Sequence, residues 1–228
     1  SFGLDMPLQA KDYGVIMVDA VAWLAKGTEL LMPMQQIAML GSHNVKNALA
    51  ALAVGDIAGF NLSAMLSVLR NFGGLEHRCE KIIDSDGIVW VNDSKGTNVA
   101  ATMSAIDGLA QSIAGKWIII LGGVGKNADF TPLVTSVAEN CRAAILIGAE
   151  TQQLWDLLHD VLPCYKAHDM ADAVKLAQQQ SVTGDGVLLS PACASFDMFN
   201  NYMHRGEVFK QQVLQRIGKH HATTEKTA

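Results

Sequence analysis

The chain has 228 residues, of which half are hydrophobic and 17% are charged, and its net charge is −5. This length holds one large domain or one and a half ordinary ones, and the low charged fraction excludes a disordered chain. No basic run occurs, which argues against a nucleic-acid groove but leaves room for a phosphorylated small substrate held by a few local cations. Four cysteines, Cys79, Cys141, Cys164 and Cys193, form no CxxC pair. They read as reduced core thiols of a cytosolic protein rather than a zinc site. No apolar stretch reaches the length of a membrane span. The opening SFGLDM lacks the basic and apolar regions of a signal peptide and has no initiator Met, so it reads as the start of a processed protein or a fragment.

Three segments are expected: 1–73, 74–217 and a polar tail over 218–228. In the first, residues 12–40 read as short β segments broken at Gly27 and Pro33. GSHNVKNALAALAVGDIAGF then predicts a helix on the stripe Val45, Ala48, Leu49, Leu52, Ala53 and Ile57, closed by Gly59. A short helix over 63–71 follows, and NFGGLEH reads as a linker whose glycines can absorb a hinge. Beyond it, apolar strands are expected at 79–84, 87–91, 117–121, 143–147 and 187–190, with a weaker one near 163–166. Helical stripes alternate with them: Val99, Met103, Ile106, Ala110; Leu154, Leu157, Leu158, Val161; Met170, Ala173, Val174, Ala177; and Phe199, Tyr202, Gly206, Phe209, Val213. This alternation predicts an α/β fold with a mostly parallel sheet covered on both faces.

Ligands of open α/β sheets bind at the carboxyl ends of the strands. Three unusual stretches fall at such ends: NDSKGTN (92–98), GGVGKNADF (122–130) and SPACASFD (190–197). Asp93 and Ser94 can serve as helix caps, but a cap reading leaves Lys95 unexplained, because a cation near a helix N-terminus opposes the helix dipole. An anion beside Lys95 would explain it. GGVGK is not a P-loop: Gly122 and Lys126 are too close and Asn127 stands where a hydroxyl is needed. It is either a tight turn or a set of backbone donors with Lys126 as a point charge. Ser195 and Asp197 are caps or ligand donors. His77 is an ordinary surface histidine or a site neighbour, and Arg78, at the hinge, is a candidate phosphate clamp. His43, Asn44 and Asn47, at the head of the first long helix, cap it or read a purine edge.

Taken in order, GSHNVKNALAALA, FGGLEHRCE, NDSKGTN, LGGVGKNADF and SPACASFDMFNNYMHRG resemble the second half of the Mur ligases. The likeness runs over residues 1–217, and NDSKxTN with SPACASxDxFxxFxxRG points to the members that add D-glutamate. The resemblance implies a cytoplasmic step of peptidoglycan synthesis in a monomeric, ATP- and magnesium-dependent enzyme. ATP phosphorylates the L-alanine carboxylate of UDP-N-acetylmuramoyl-L-alanine, and the amine of D-glutamate attacks the acyl phosphate. Residues 1–73 would be the C-terminal part of the central ATPase domain, and 74–217 a Rossmann-like C-terminal domain. By the same resemblance, Asn44, Asn47, His77, Arg78, Asp93 and Lys95 serve the nucleotide. Thr97, Lys126, Ser195 and Phe196 hold D-glutamate, and Tyr202, where Phe is common, lines that pocket.

Two departures stand out. Gly96 replaces a more usual Ala, which reads as mild. No GKT or GKS occurs anywhere in the chain. The Walker-A loop, the magnesium-binding glutamate and the carbamylated lysine of the family are therefore expected elsewhere, with no complete catalytic set or metal site here and an inactive chain by itself. The rival readings are another Mur ligase or a folylpolyglutamate synthase, and a non-catalytic nucleotide-binding module. A nicotinamide-dependent oxidoreductase is disfavoured by the lack of GxGxxG after a strand.

Overall fold

A computed structural model describes residues 1–224, with side chains up to Ile217 of the last helix. The chain divides into two compact units, the first Ser1–Gly74 and the second from Leu75 onward.

In the first unit, β1 (Tyr13–Val18), β2 (Val21–Lys26) and β3 (Glu29–Pro33) form an antiparallel sheet in that order. Asp19 and Ala20, both at positive φ, make the tight turn between the first two strands. Helices α1 (Ser42–Ile57) and α2 (Leu62–Asn71) cover the sheet, closing a core of Tyr13, Leu24, Met32, Val45, Leu49, Leu52, Leu66 and Leu69. Ile57 departs from the expected stripe: it is 88% exposed. The 3.6-residue period that runs through Val45, Leu49 and Leu52 arrives at Asp56, one residue earlier, and Asp56 pairs with Lys26 of β2 at 2.7 Å. Most of the large apolar side chains left exposed belong to this small unit, among them Leu8, Met17, Val54, Ile57 and Phe60.

The second unit holds β4 (Glu80–Ser85), β5 (Ile88–Asn92), β6 (Trp117–Leu121), β7 (Cys141–Leu146), β8 (Cys164–Lys166) and β9 (Gly186–Leu189). They form one sheet in the order β4-β5-β9-β6-β7-β8. Only β4 is antiparallel, paired to β5 by a two-residue turn at Asp86 and Gly87, both at positive φ. The remaining pairs are parallel. β6, β7 and β9 are buried on both faces, hence their continuous apolar runs WIIIL, AAIL and GVLL. Ile118, Ile120, Ile145, Val187 and Leu189 face α6 (Met170–Gln180) and α7 (Tyr202–Thr224). Alternate residues such as Ile119, Leu121 and Leu188 point to the other face. The remaining helices are α3 (Val99–Leu109), α4 (Leu133–Asn140) and α5 (Thr151–Leu158), and α3 packs against α4.

The expected α/β class and mostly parallel sheet are found, and all four residues of the 170–177 stripe are buried. In α3 the buried face is Thr102, Ala105, Ile106 and Leu109, rather than one centred on Met103. In α5, Leu154 and Leu158 are buried, whereas Val161 lies past the helix end and is exposed. α4 had no counterpart among the expected helices. The backbone of α7 carries residues 218–224, read from the sequence as polar tail, and residues 225–228 lie outside the described residues. Three of the four cysteines are buried, and all four are free thiols. Among the described residues no helix is long and apolar enough to cross a membrane.

The two units differ in how much apolar surface they bury, so they should differ in protection. Amide hydrogen exchange is expected to be faster across residues 1–72 than in β5, β6, β7 and β9, because a small core resists local opening less. Uniformly slow exchange across both units would contradict this.

Candidate functional site

The parallel sheet sends the carboxyl ends of β5, β6, β7 and β9 to one edge, and the loops leaving them are stitched together there. After β5, Asn92 Oδ1 accepts from the Ser94 N–H at 3.1 Å and starts a tight turn. The Gly96 N–H returns to the Asp93 carbonyl at 2.8 Å. After β9, the Ala192 N–H donates to the Gly96 carbonyl at 2.9 Å, joining the first loop to the third. After β6, Val124 and Ala194 exchange two backbone hydrogen bonds of 2.8 and 2.9 Å, joining the second loop to the third. Gly123 (φ 129°) permits this approach, and Gly122 (φ 120°) lets the chain pass close to Ile147, just past β7. A Cβ on either would run into a carbonyl oxygen, that of Ile147 or Ala194.

Arg205 of α7 lies beneath these loops at 1% exposure. Its Nε donates to Ser94 Oγ at 3.0 Å, Nη2 to the Ser94 carbonyl at 2.9 Å and Nη1 to the Cys193 carbonyl at 3.0 Å. Burial lowers its pKa to about 10, against the pull of Cys193, Asp197 and Asp93. Ser94 Oγ in turn donates a hydrogen bond to the Tyr202 carbonyl at 2.7 Å. Ser94 thus ties its loop to α7, and is not a helix cap. The cap of α3 is Asn98, which accepts from the Ala101 N–H at 2.9 Å. Asn201 does the same for α7, accepting from the His204 N–H at 2.9 Å.

Asp93 is no cap either. It is 7% exposed; Ser190 Oγ donates to its Oδ2 at 2.6 Å and the Cys79 N–H to its Oδ1 at 3.3 Å. Thr102, in α3, completes the cluster through Ser190. Burial pushes the Asp93 carboxyl up to about 6, and its hydrogen bonds and the charge of Arg78 only partly offset this. Gly96 is not a mild replacement in this setting. A Cβ there would stand 2.5 Å from Asp93 Oδ2 and 2.6 Å from Ser190 Oγ, so any side chain would disturb the pair.

His77 is buried rather than an ordinary surface histidine, with φ 62°. Asn92 Nδ2 donates to its Nδ1 at 2.9 Å and to Glu80 Oε2 at 3.1 Å, while the His77 carbonyl accepts from the Lys95 N–H at 3.0 Å. Gly206 makes room for this ring inside α7, where a methyl group would meet His77 Nδ1. Cys79 is also left-handed (φ 47°), so Arg78 sits on the crest of a sharp turn with its side chain exposed. Lys95 Nζ lies 4.1 Å from the centre of the Tyr202 ring. Lys95 therefore has an aromatic face beside it, which a cation favours.

Of the residues set against D-glutamate, Thr97, Lys126 and Ser195 lie on the three stitched loops. Ser195 is buried, Thr97 half-buried and Lys126 exposed. Lys126 and Asn127 are both left-handed (φ 53° and 61°) in a turn closed by the Ala128 N–H on the Gly125 carbonyl at 3.0 Å. Phe196 is 69% exposed. Tyr202 faces Lys95 and the His77 ring, its centroid 6.0 Å from the latter. Asn44 and Asn47 belong to the first unit. There Asn47 Nδ2 donates to Asn44 Oδ1 at 3.1 Å, and Asn44 Nδ2 to the Leu40 carbonyl at 2.7 Å. Residues the sequence did not single out also build the site: Arg205, Ser190 and Glu150. Asp197, read as a cap or donor, accepts from the Ala149 N–H at 2.8 Å. Among the described residues no cluster of three His, Cys, Asp or Glu side chains is placed to hold a metal.

Three comparisons bear on this edge. The family described as "Mur ligase, glutamate ligase domain" matches residues 77–193. The UDP-N-acetylmuramoylalanine–D-glutamate ligase of Legionella pneumophila (strain Paris) is 45% identical over 213 residues, which are 93% of this chain and 47% of that protein. The chain spans about half the length of the curated relatives it matches. Among solved structures, UDP-N-acetylmuramate-alanine ligase MurC of Thermotoga maritima superposes with a TM-score of 0.60 at 18% identity, over 90% of this chain and 46% of that one. The folylpolyglutamate synthase of Mycobacterium tuberculosis, complexed with ADP, gives 0.63 at 13%, over 88% and 47%. At those identities the likeness to the solved structures is one of fold.

The burial of Asp93 carries a pH signature. Its folded pKa, about 6, lies above the ordinary 3.8. The folded state therefore holds this proton more tightly, and the contribution is present below about pH 4 and lost as pH rises through 6. Relative to Asp93→Asn, the parent should lose roughly 2–3 kcal/mol of unfolding free energy between about pH 4 and pH 7. Chemical unfolding of both proteins across that range measures the difference, and parallel pH profiles would contradict it.

Proposed function

Because the chain belongs to the Mur ligase family, we propose that it is the part of an ATP-dependent amide ligase that receives D-glutamate and closes over the nucleotide. The reaction proposed for the whole enzyme joins D-glutamate to UDP-N-acetylmuramoyl-L-alanine in cytoplasmic peptidoglycan synthesis. The terminal phosphoryl group of ATP passes to the L-alanine carboxylate. The D-glutamate amine then attacks the acyl phosphate, and the tetrahedral intermediate collapses to the amide, releasing phosphate and leaving ADP.

The observation that carries this reading is the stitching of the loops bearing Thr97, Lys126 and Ser195 at one sheet edge. A dicarboxylate needs a cation, hydroxyls and backbone N–H groups from more than one direction. Three loops fixed to one another offer that set without reorganising when the ligand arrives. Lys126 is assigned to a D-glutamate carboxylate, with Thr97 and Ser195 as hydroxyl donors, Phe196 at the rim and Tyr202 lining the pocket. Arg78 and Lys95 are assigned to the nucleotide. His77 and Asp93 are assigned to the same side, where their buried hydrogen bonds shape the turn that carries Arg78. Asn44 and Asn47 are assigned to the adenine.

Magnesium accompanies ATP in the proposed enzyme, but among the described residues no three acidic, His or Cys side chains gather to hold it, so no step is routed through it. The phosphate loop and magnesium ligands are assigned to the other half of the enzyme, and the chain by itself is proposed to turn nothing over.

Lys126→Ala tests this division of the pocket, in the full-length ligase made by joining this chain to the remaining half of the Legionella relative. A charged hydrogen bond contributes roughly 1.5–3 kcal/mol, so the KM for D-glutamate should rise about ten- to a hundred-fold. The KM for ATP should hold. Steady-state kinetics with each substrate varied in turn decide it. A rise in the ATP constant alone would move Lys126 to the phosphate side, and no change in either would make it a solvated turn residue.

A further inference from the structure

Glu150 follows β7 and touches the Lys126 turn through the backbone. Its Oε1 accepts from the Gly125 N–H at 3.0 Å, and its own N–H donates to the Gly123 carbonyl at 3.1 Å. A Cβ on Gly125 would stand 2.8 Å from Oε1 and 2.9 Å from the next two carbons of the side chain, so glycine is what lets the acid come this close. The next two residues, Lys126 and Asn127, both occupy the left-handed region, and the Ala128 N–H closes the turn back onto Gly125. Consecutive non-glycine residues in that region are costly and persist only where the surroundings hold them. The Glu150–Gly125 hydrogen bond grips the first corner of that turn.

The chemistry of the grip matters as well. Among the described residues neither Glu150 nor Lys126 forms an ion pair with the other or with any third group. An acid paired directly to Lys126 would neutralise it. An acid bound to the Gly125 amide fixes the turn and leaves the ammonium charge for a ligand.

Resting on the assignment of Lys126 to D-glutamate, we propose that Glu150 is the positioning residue of this site, anchoring the Gly125 amide so that the Lys126 turn presents its ammonium to an amino-acid carboxylate. Glu150 itself touches no substrate. It acts through the backbone of the neighbouring loop, and the carbonyl of Gly123 ties it to the same loop from the other side.

The test is a double-mutant cycle in the full-length ligase. Glu150→Ala should raise the KM for D-glutamate about ten-fold and leave that for ATP unchanged. Glu150→Gln keeps an acceptor oxygen on the same stem and should stay within about two-fold of the parent. Lys126→Ala with Glu150→Ala should be no worse than Lys126→Ala alone, because the same interaction is lost only once. If Glu150→Ala does not fold, Gly125→Ala breaks the same hydrogen bond from its other end and should give the same rise. A normal D-glutamate constant in Glu150→Ala, or additive losses in the double variant, overturns this inference while the assignment of Lys126 stands. A normal constant in Lys126→Ala overturns the assignment and the inference together.

Discussion

The edge of the sheet depends on one buried guanidinium. Arg205 is withdrawn from water, and a charge in that position is tolerated only where its donors are met. Its three acceptors, Ser94 Oγ, the Ser94 carbonyl and the Cys193 carbonyl, lie on two loops about a hundred residues apart in the chain. None of those oxygens has water as an easy alternative, so the loops and α7 satisfy one another or none is satisfied. The Gly96–Ala192 and Val124–Ala194 contacts extend the same frame to the loop that carries Lys126. Rigidity of the site is thus a consequence of burial, while the Lys126 side chain stays at the surface.

The parallel sheet explains why the site lies where it does. Strands buried on both faces leave only their ends for polar chemistry, and parallel strands put all carboxyl ends on one side. Inserting Asp93 into this edge raises its pKa through desolvation. Gly96 and Gly206 are spaces rather than hinges: one admits the Asp93–Ser190 pair, the other the His77 ring. Such close approaches select glycine by what stands opposite it in space, whatever the local secondary structure.

Much of the fold was legible because its signals are local. WIIIL and AAIL read as doubly buried strands, and the 170–177 stripe keeps the helical period throughout. α4 was hidden because it is only eight residues long and buries Ser136 alongside Leu133 and Val137. Ile57 misled because a long helix drifts away from a fixed face. In the site, the three polar loops were legible from composition at strand ends, and Asp93 and Ser94 looked like caps because cap residues and buried acceptors are the same residue types. Arg205 and Glu150 were not singled out, since their partners lie in loops distant in the chain, which no spacing in the sequence encodes.

The central claim is that these loops form one surface for D-glutamate. Titrating the isotopically labelled chain with D-glutamate and following each backbone amide by NMR tests it most directly. The account predicts shifts in all three loops, residues 95–98, 122–128 and 192–197, that follow a single binding curve. Shifts confined to one loop, separate curves for different loops, or responses centred elsewhere in the chain would contradict it.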